Sequence, residues 1–134
     1  MLMIGDLAKR TGTKVNTIRF YEGIGLMPEA VRTSGGRRTY GEAEVRQLGF
    51  IRHARELGFS VEEIRSLIAL SANPDRDCHE AGAIARRHLA SVEDRITRLI
   101  AMRDALSDAT RACDGGKMAD CRVMEAITTL PTSR

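Results

Sequence analysis

Tryptophan is absent, and only two tyrosines and three phenylalanines stand among 134 residues. Aromatic side chains dominate burial in most large cores, so Leu, Ile, Val and Ala have to supply the packing here. Proline is scarce too, with three in the chain and none between Pro74 and Pro131. That gap leaves room for one long helix. No apolar run approaches the roughly 20 residues needed to cross a bilayer. The opening MLMIGDLAKR lacks an apolar segment with a small-residue cleavage site, so a cytoplasmic location without a membrane partner is expected. Three cysteines are too few and too odd for a disulfide framework, which leaves metal ligands or redox thiols. No Cys-His-Asp arrangement, phosphate-cradling glycine loop or carboxylate pair suggests an enzyme.

What is present is a foldable, soluble composition, 43% apolar and 29% charged. The charge is uneven. Through Gly58 there are ten Lys/Arg against six Asp/Glu, and from Phe59 onward eleven against twelve. A basic first half beside a neutral second half fits a first half that meets a polyanion.

Local patterns divide the chain. Ile4, Leu7 and Ala8 make one short helical face that Gly12 ends, and Val15, Ile18 and Phe20 fall in a second helix with Thr13 as its expected N-cap. Two short helices around a Thr-Gly-Thr turn read as a helix-turn-helix. Val31-Arg-Thr and Arg38-Thr-Tyr40 flank Ser34-Gly35-Gly36, the pattern of a hairpin wing. A helix is expected over 41–57. The next starts at Ser60, whose Glu three residues on completes a capping box. Pro74 marks a linker.

From His79 to about Ala112 there is no proline, and Ala85, Leu89, Val92, Ile96, Leu99 and Leu106 recur in steps of four and three. This is a heptad seam, interrupted at Arg103 where Met102 can substitute. A polar helix of this length cannot cover its seam against so small a domain, so pairing with a second copy is expected, with packing along its own N-terminal domain as the alternative. The spans that follow are 1–72, a winged helix-turn-helix with its connecting helices; 73–112, linker and dimerisation helix; and 113–134, a loop, a short helix and a tail from Thr128.

The thiols sit at the two ends of the long helix. Cys78 precedes it in PDRDCHEAG, and Cys113 and Cys121 bracket CDGGKMADC after it. Cys78 and Cys113 are 35 residues apart, and a helix rises 1.5 Å per residue, so about 50 Å separates them within one chain. In an antiparallel helix pair, Cys78 of one chain arrives beside Cys113 and Cys121 of the other. Gly115 and Gly116 let the loop turn back, and Val123, Met124 and Ile127 can cover the site. Thiolates select soft ions. His79 and Asp114 are candidate fourth ligands, and a disulfide-forming redox pair is the rival use of Cys113 and Cys121.

The stretches IGDLAKRTGTKVNTIRFYEGIGLM and GGRRTYGEAEVRQLGFIRHARELGFSVEEIRSLI resemble the MerR family of bacterial transcription regulators, and the cysteines resemble its metal-sensing branch. The resemblance spans nearly the whole chain. It implies a mainly α fold: a homodimer with a winged helix-turn-helix at each end of an antiparallel coiled coil. It implies an operator in an overlong promoter spacer, distorted into alignment for bacterial RNA polymerase when metal binds. The expected DNA contacts are Lys14, Asn16, Thr17, Arg19 and Tyr21 on the second helix and Arg37, Arg38 and Tyr40 on the wing. Arg52, His53 and Arg55 are weaker candidates. In the family, Cys at the position of Cys78 resembles sensors of divalent ions (Hg, Pb, Cd or Zn), which places mercury or a related divalent ion first. The seven-residue loop between Cys113 and Cys121 resembles the copper(I) type in length and lacks the extra Cys and His of zinc sensors, which keeps Cu(I) second.

Overall fold

The computed structural model describes residues 1–113 and 115–131 and divides the chain into two compact units, Met1–Ala81 and Gly82–Arg134. In the first, α1 (Ile4–Thr11) and α2 (Val15–Gly23) are followed by β1 (Val31–Arg32), β2 (Arg38–Thr39), α3 (Glu42–Glu56) and α4 (Val61–Ser71). Helix α1 begins where the Asp6 carboxylate accepts from the Met3 N–H (3.2 Å). It ends at Gly12, whose φ of 65° is the left-handed conformation that favours glycine. Thr13 does not cap α2 as expected. It is buried and its hydroxyl donates back to the Thr11 carbonyl (3.4 Å), while Lys14 takes the cap position without a side-chain bond.

The wing is an antiparallel pair with Val31 opposite Thr39 and Arg32 opposite Arg38. Its turn closes through Gly36 N–H to the Thr33 carbonyl (2.9 Å), with Gly36 at φ 82°. Leu2 and Tyr40 exchange backbone hydrogen bonds at 2.8 Å each, so the N-terminus is a third rung beside the wing. Ser60 and Glu63 form the expected capping box: Glu63 N–H donates to Ser60 Oγ (3.1 Å) and Ser60 N–H to Glu63 Oε1 (2.9 Å). One core gathers Leu7 of α1, Ile18 and Tyr21 of α2, Leu26, Met27, Tyr40, Leu48, Ile51 and Ala54 of α3, and Ile64 of α4. Aliphatic side chains from four helices supply most of it, and both tyrosines of the chain pack among them.

Helix α5 (His79–Ala112) runs unbroken, and beyond it lie a 3-10 turn (Met118–Asp120) and α6 (Arg122–Thr129). Along α5 the expected seam is open: Leu89, Ile96 and Leu99 are about half exposed, as is Ile100. The C-terminal turns of α5 and α6 line a shared cavity of about 350 Å³ between Ala109, Ala112 and Ala126. Of the expected tail, Thr128 and Thr129 are helical, and residues 132–134 lie outside the described residues. Among the described residues no helix is long and apolar enough to cross a membrane.

Candidate nucleic-acid interface and thiol sites

Helix α2 carries apolar groups three apart, Ile18 and Tyr21, which puts them on one face and in the core. The opposite face is thereby fixed outward. Lys14, Asn16 and Arg19 are exposed and Thr17 is half-buried. Phe20 is 56% exposed, because a residue two steps from Ile18 lies across the helix from it. On the wing Arg37 and Arg38 are exposed.

Two expected contacts need correction. Tyr21 and Tyr40 do not project as polar groups: both rings belong to the core, with Tyr40 1% exposed. The Tyr40 hydroxyl donates to Glu22 Oε2 (3.0 Å). Burial, then that hydrogen bond, then the Glu22 charge push the phenol up to about 12, against the pull of Arg38 and Arg19.

Glu22 and Arg32 were missed from the sequence. Both line a cavity of about 490 Å³ between α2 and the wing, together with Arg19 and Arg38. Arg38 Nη1 stands 3.8 Å from Glu22 Oε1. The signal for Arg32 was the hairpin register, which sets it directly across from Arg38. Like charges in that position repel, so the pair is better suited to a strand edge that meets phosphate than to a free surface.

The weaker candidates have partners or remain apart. Arg52 pairs with Glu56 (3.2 Å), and its guanidinium packs against Gly12. Arg55 donates to the Phe59 carbonyl (2.8 Å), and His53 is exposed. Arg10 is engaged by both oxygens of Glu42 (2.7 and 3.2 Å), which raises the arginine and lowers the carboxylate.

All three cysteines are free thiols, with Cys78 and Cys113 exposed and Cys121 half-buried. Cys78 stands one residue before α5, next to His79, whose N–H donates to Asp77 Oδ1 (3.0 Å). Cys113 follows the last residue of α5, and Gly115 turns the chain at φ 84°. Cys121 precedes α6 and lines a surface hollow with Met118 and Met124, both at least half exposed. Asp114, a candidate fourth ligand, lies outside the described residues. Among the described residues no three Cys, His, Asp or Glu side chains gather into a metal-sized group. The donor chemistry nevertheless suits a soft ion: three thiols, flanked on one side by thioethers.

The profile described as MerR HTH family regulatory protein matches residues 2–70, and the one described as MerR, DNA binding matches residues 45–109. The HTH-type transcriptional regulator ZntR of Escherichia coli K12 is 41% identical over 130 residues, covering 95% of this chain and 92% of that protein. Heavy metal-dependent transcription regulator 2 of Rhizobium meliloti is 40% identical over 124 residues, covering 92% of this chain and 84% of that protein. Among solved structures, the transcription regulator PbrR691 of Ralstonia metallidurans CH34 in complex with lead(II) is 35% identical. It superposes with a TM-score of 0.76, covering 95% of this chain and 99% of that one.

Proposed function

Since this chain belongs to the MerR family of DNA-binding transcription regulators, which are not enzymes, we propose that it is a homodimeric switch on promoter DNA that responds to a soft divalent metal. The observation that carries the reading is the open seam of α5 with free thiols just beyond both ends. An apolar stripe left about half exposed from Leu89 to Ile100 of a 34-residue helix needs a partner, and a second copy of the same helix supplies one of matching length. Run antiparallel, the pair brings Cys78 of one chain to Cys113 and Cys121 of the other, twice per dimer.

In this reading Lys14, Asn16, Thr17 and Arg19 meet the major groove and its phosphates, and Arg32, Arg37 and Arg38 clamp the backbone from the wing. Lys and Arg contacts of this kind supply sequence-independent affinity that falls with salt. The thiolates would hold the ion, and the ion would supply an interchain link that neither chain makes alone. Such a link shifts a conformational equilibrium only by the difference in its affinity for two states. Distorting a promoter duplex costs a few kcal/mol, within reach of a three-thiolate site that favours one state. Promoter elements set too far apart for RNA polymerase would be realigned by that distortion.

The lead(II) complex of a relative at 35% identity supports a divalent ion. Mercury or lead suits three sulfurs, whereas zinc or cadmium takes a fourth ligand, for which His79 and Asp114 are the candidates. Copper(I) is the second reading, on the seven residues between Cys113 and Cys121. The test is transcription in vitro from the cognate promoter with a panel of metals, for wild type and Cys78→Ser. The divalent response is expected to vanish in the variant while duplex binding persists. A variant that still responds to divalent ions would remove Cys78 from the ligand set.

A further inference from the structure

Glu22 is an anion on a face read as meeting an anion, so it needs a reason to be there. Its side chain is only 8% exposed. One carboxylate oxygen accepts from the Tyr40 hydroxyl at 3.0 Å. The other is buried and, among the described residues, accepts no hydrogen bond. A buried carboxylate with an unused oxygen is costly unless neighbouring charge offsets it. That charge is present: Arg38 Nη1 lies 3.8 Å away, and Arg19 and Arg32 line the same cavity. Glu22 sits near the end of α2, and Tyr40 directly follows β2, 18 residues further on. The carboxylate therefore joins two elements that have to reach the duplex together.

We propose that Glu22 is a positioning residue for DNA binding, fixing the wing against α2 and aiming the Arg38 guanidinium, so that its negative charge strengthens duplex binding. The proposal rests on the DNA-binding reading above. Counting charges alone gives the opposite result. Glu22→Gln adds one positive unit to the face, which by simple attraction tightens binding and steepens its fall with salt.

The test is fluorescence anisotropy of a labelled promoter duplex at several salt concentrations, with wild type, Glu22→Gln, Arg38→Ala and the double variant. Gln keeps the size and an acceptor for Tyr40 while removing the charge, and circular dichroism follows the fold. Glu22→Gln is expected to weaken binding about tenfold, the scale of one lost charged contact, and to add nothing further when Arg38 is already Ala. This loss of additivity is the mark of one group acting through the other. A purely structural role would weaken both backgrounds alike and would overturn the proposal. So would a Glu22→Gln protein that binds as tightly as wild type or tighter. If Glu22→Gln lowers the melting temperature, Tyr40→Phe carries the same test, since it keeps both charges and frees the carboxylate. It is expected to weaken binding by about threefold, only where Arg38 is present; an equal loss without Arg38, or none with it, overturns the proposal. A wild type that binds no duplex at all brings down the DNA-binding reading itself, and this proposal with it.

Discussion

The two units of this chain differ in how far they bury their apolar residues. In Met1–Ala81, Leu7, Ile18, Leu48, Ile51 and Ile64 are all 0% exposed. In Gly82–Arg134, Leu89, Ile96, Leu99 and Ile127 are each about half exposed or more. The first unit finishes its own core. The second presents a patterned surface that it does not cover, and its pattern is that of a helix pairing with its own kind. The difference separates a unit that matches the MerR HTH profile and closes a core of its own from one whose seam stays uncovered.

The sharpest way to break this contrast is to charge the seam. Ile96→Glu with Leu99→Glu is expected to convert the dimer to monomer, read by sedimentation, and to lower promoter affinity by about a hundredfold or more as one of two linked half-sites is lost. The first unit should keep its fold in that variant. A smaller effect comes from the first unit's own core. Leu48→Ala is expected to cost about 2–5 kcal/mol of stability, in the paired chain and in the charged-seam monomer alike, by thermal or urea unfolding. An effect confined to the paired form would mean that the first unit is not self-sufficient.

Smaller still is the alkaline response of the wing. The Tyr40 phenol is raised to about 12 in the folded protein, first by burial. A group whose folded pKa lies above its unfolded value holds its proton longer when folded. Its stabilising contribution is therefore whole below about pH 10 and is lost as pH rises towards 12. Tyr40→Phe is expected to flatten the loss of stability across that window and to remove a phenolate absorbance step near its upper end. An unchanged alkaline unfolding curve would contradict the link.

How much of this could be read in advance follows the same division. The Ser60–Glu63 capping box, the wing around Gly36 and the run of α5 from His79 to Ala112 are local patterns, and the structure has them where the sequence suggests. Residues whose role depends on a distant partner were harder. Tyr21 and Tyr40 each have an apolar ring and a polar tip, and only the packing decides that the ring wins. Nothing local marks Glu22, because its partner lies 18 residues away on another element. Phe20 is apolar, yet helical phase from Ile18 turns it outward. The thiols stand at the two ends of α5, while the ligand group proposed for them would span two chains.

A mixed dimer tests that last point most directly. One chain carries Cys78→Ser and the other carries Cys113→Ser with Cys121→Ser, so each parent homodimer lacks a complete ligand set. Purified mixed dimers are to be titrated with lead(II), following the thiolate-to-lead charge-transfer absorption. If sulfurs from opposite chains form the site, the mixed dimer regains one site and about half of the wild-type signal, while neither parent does. A mixed dimer as silent as its parents would contradict the interchain site and the account built on it.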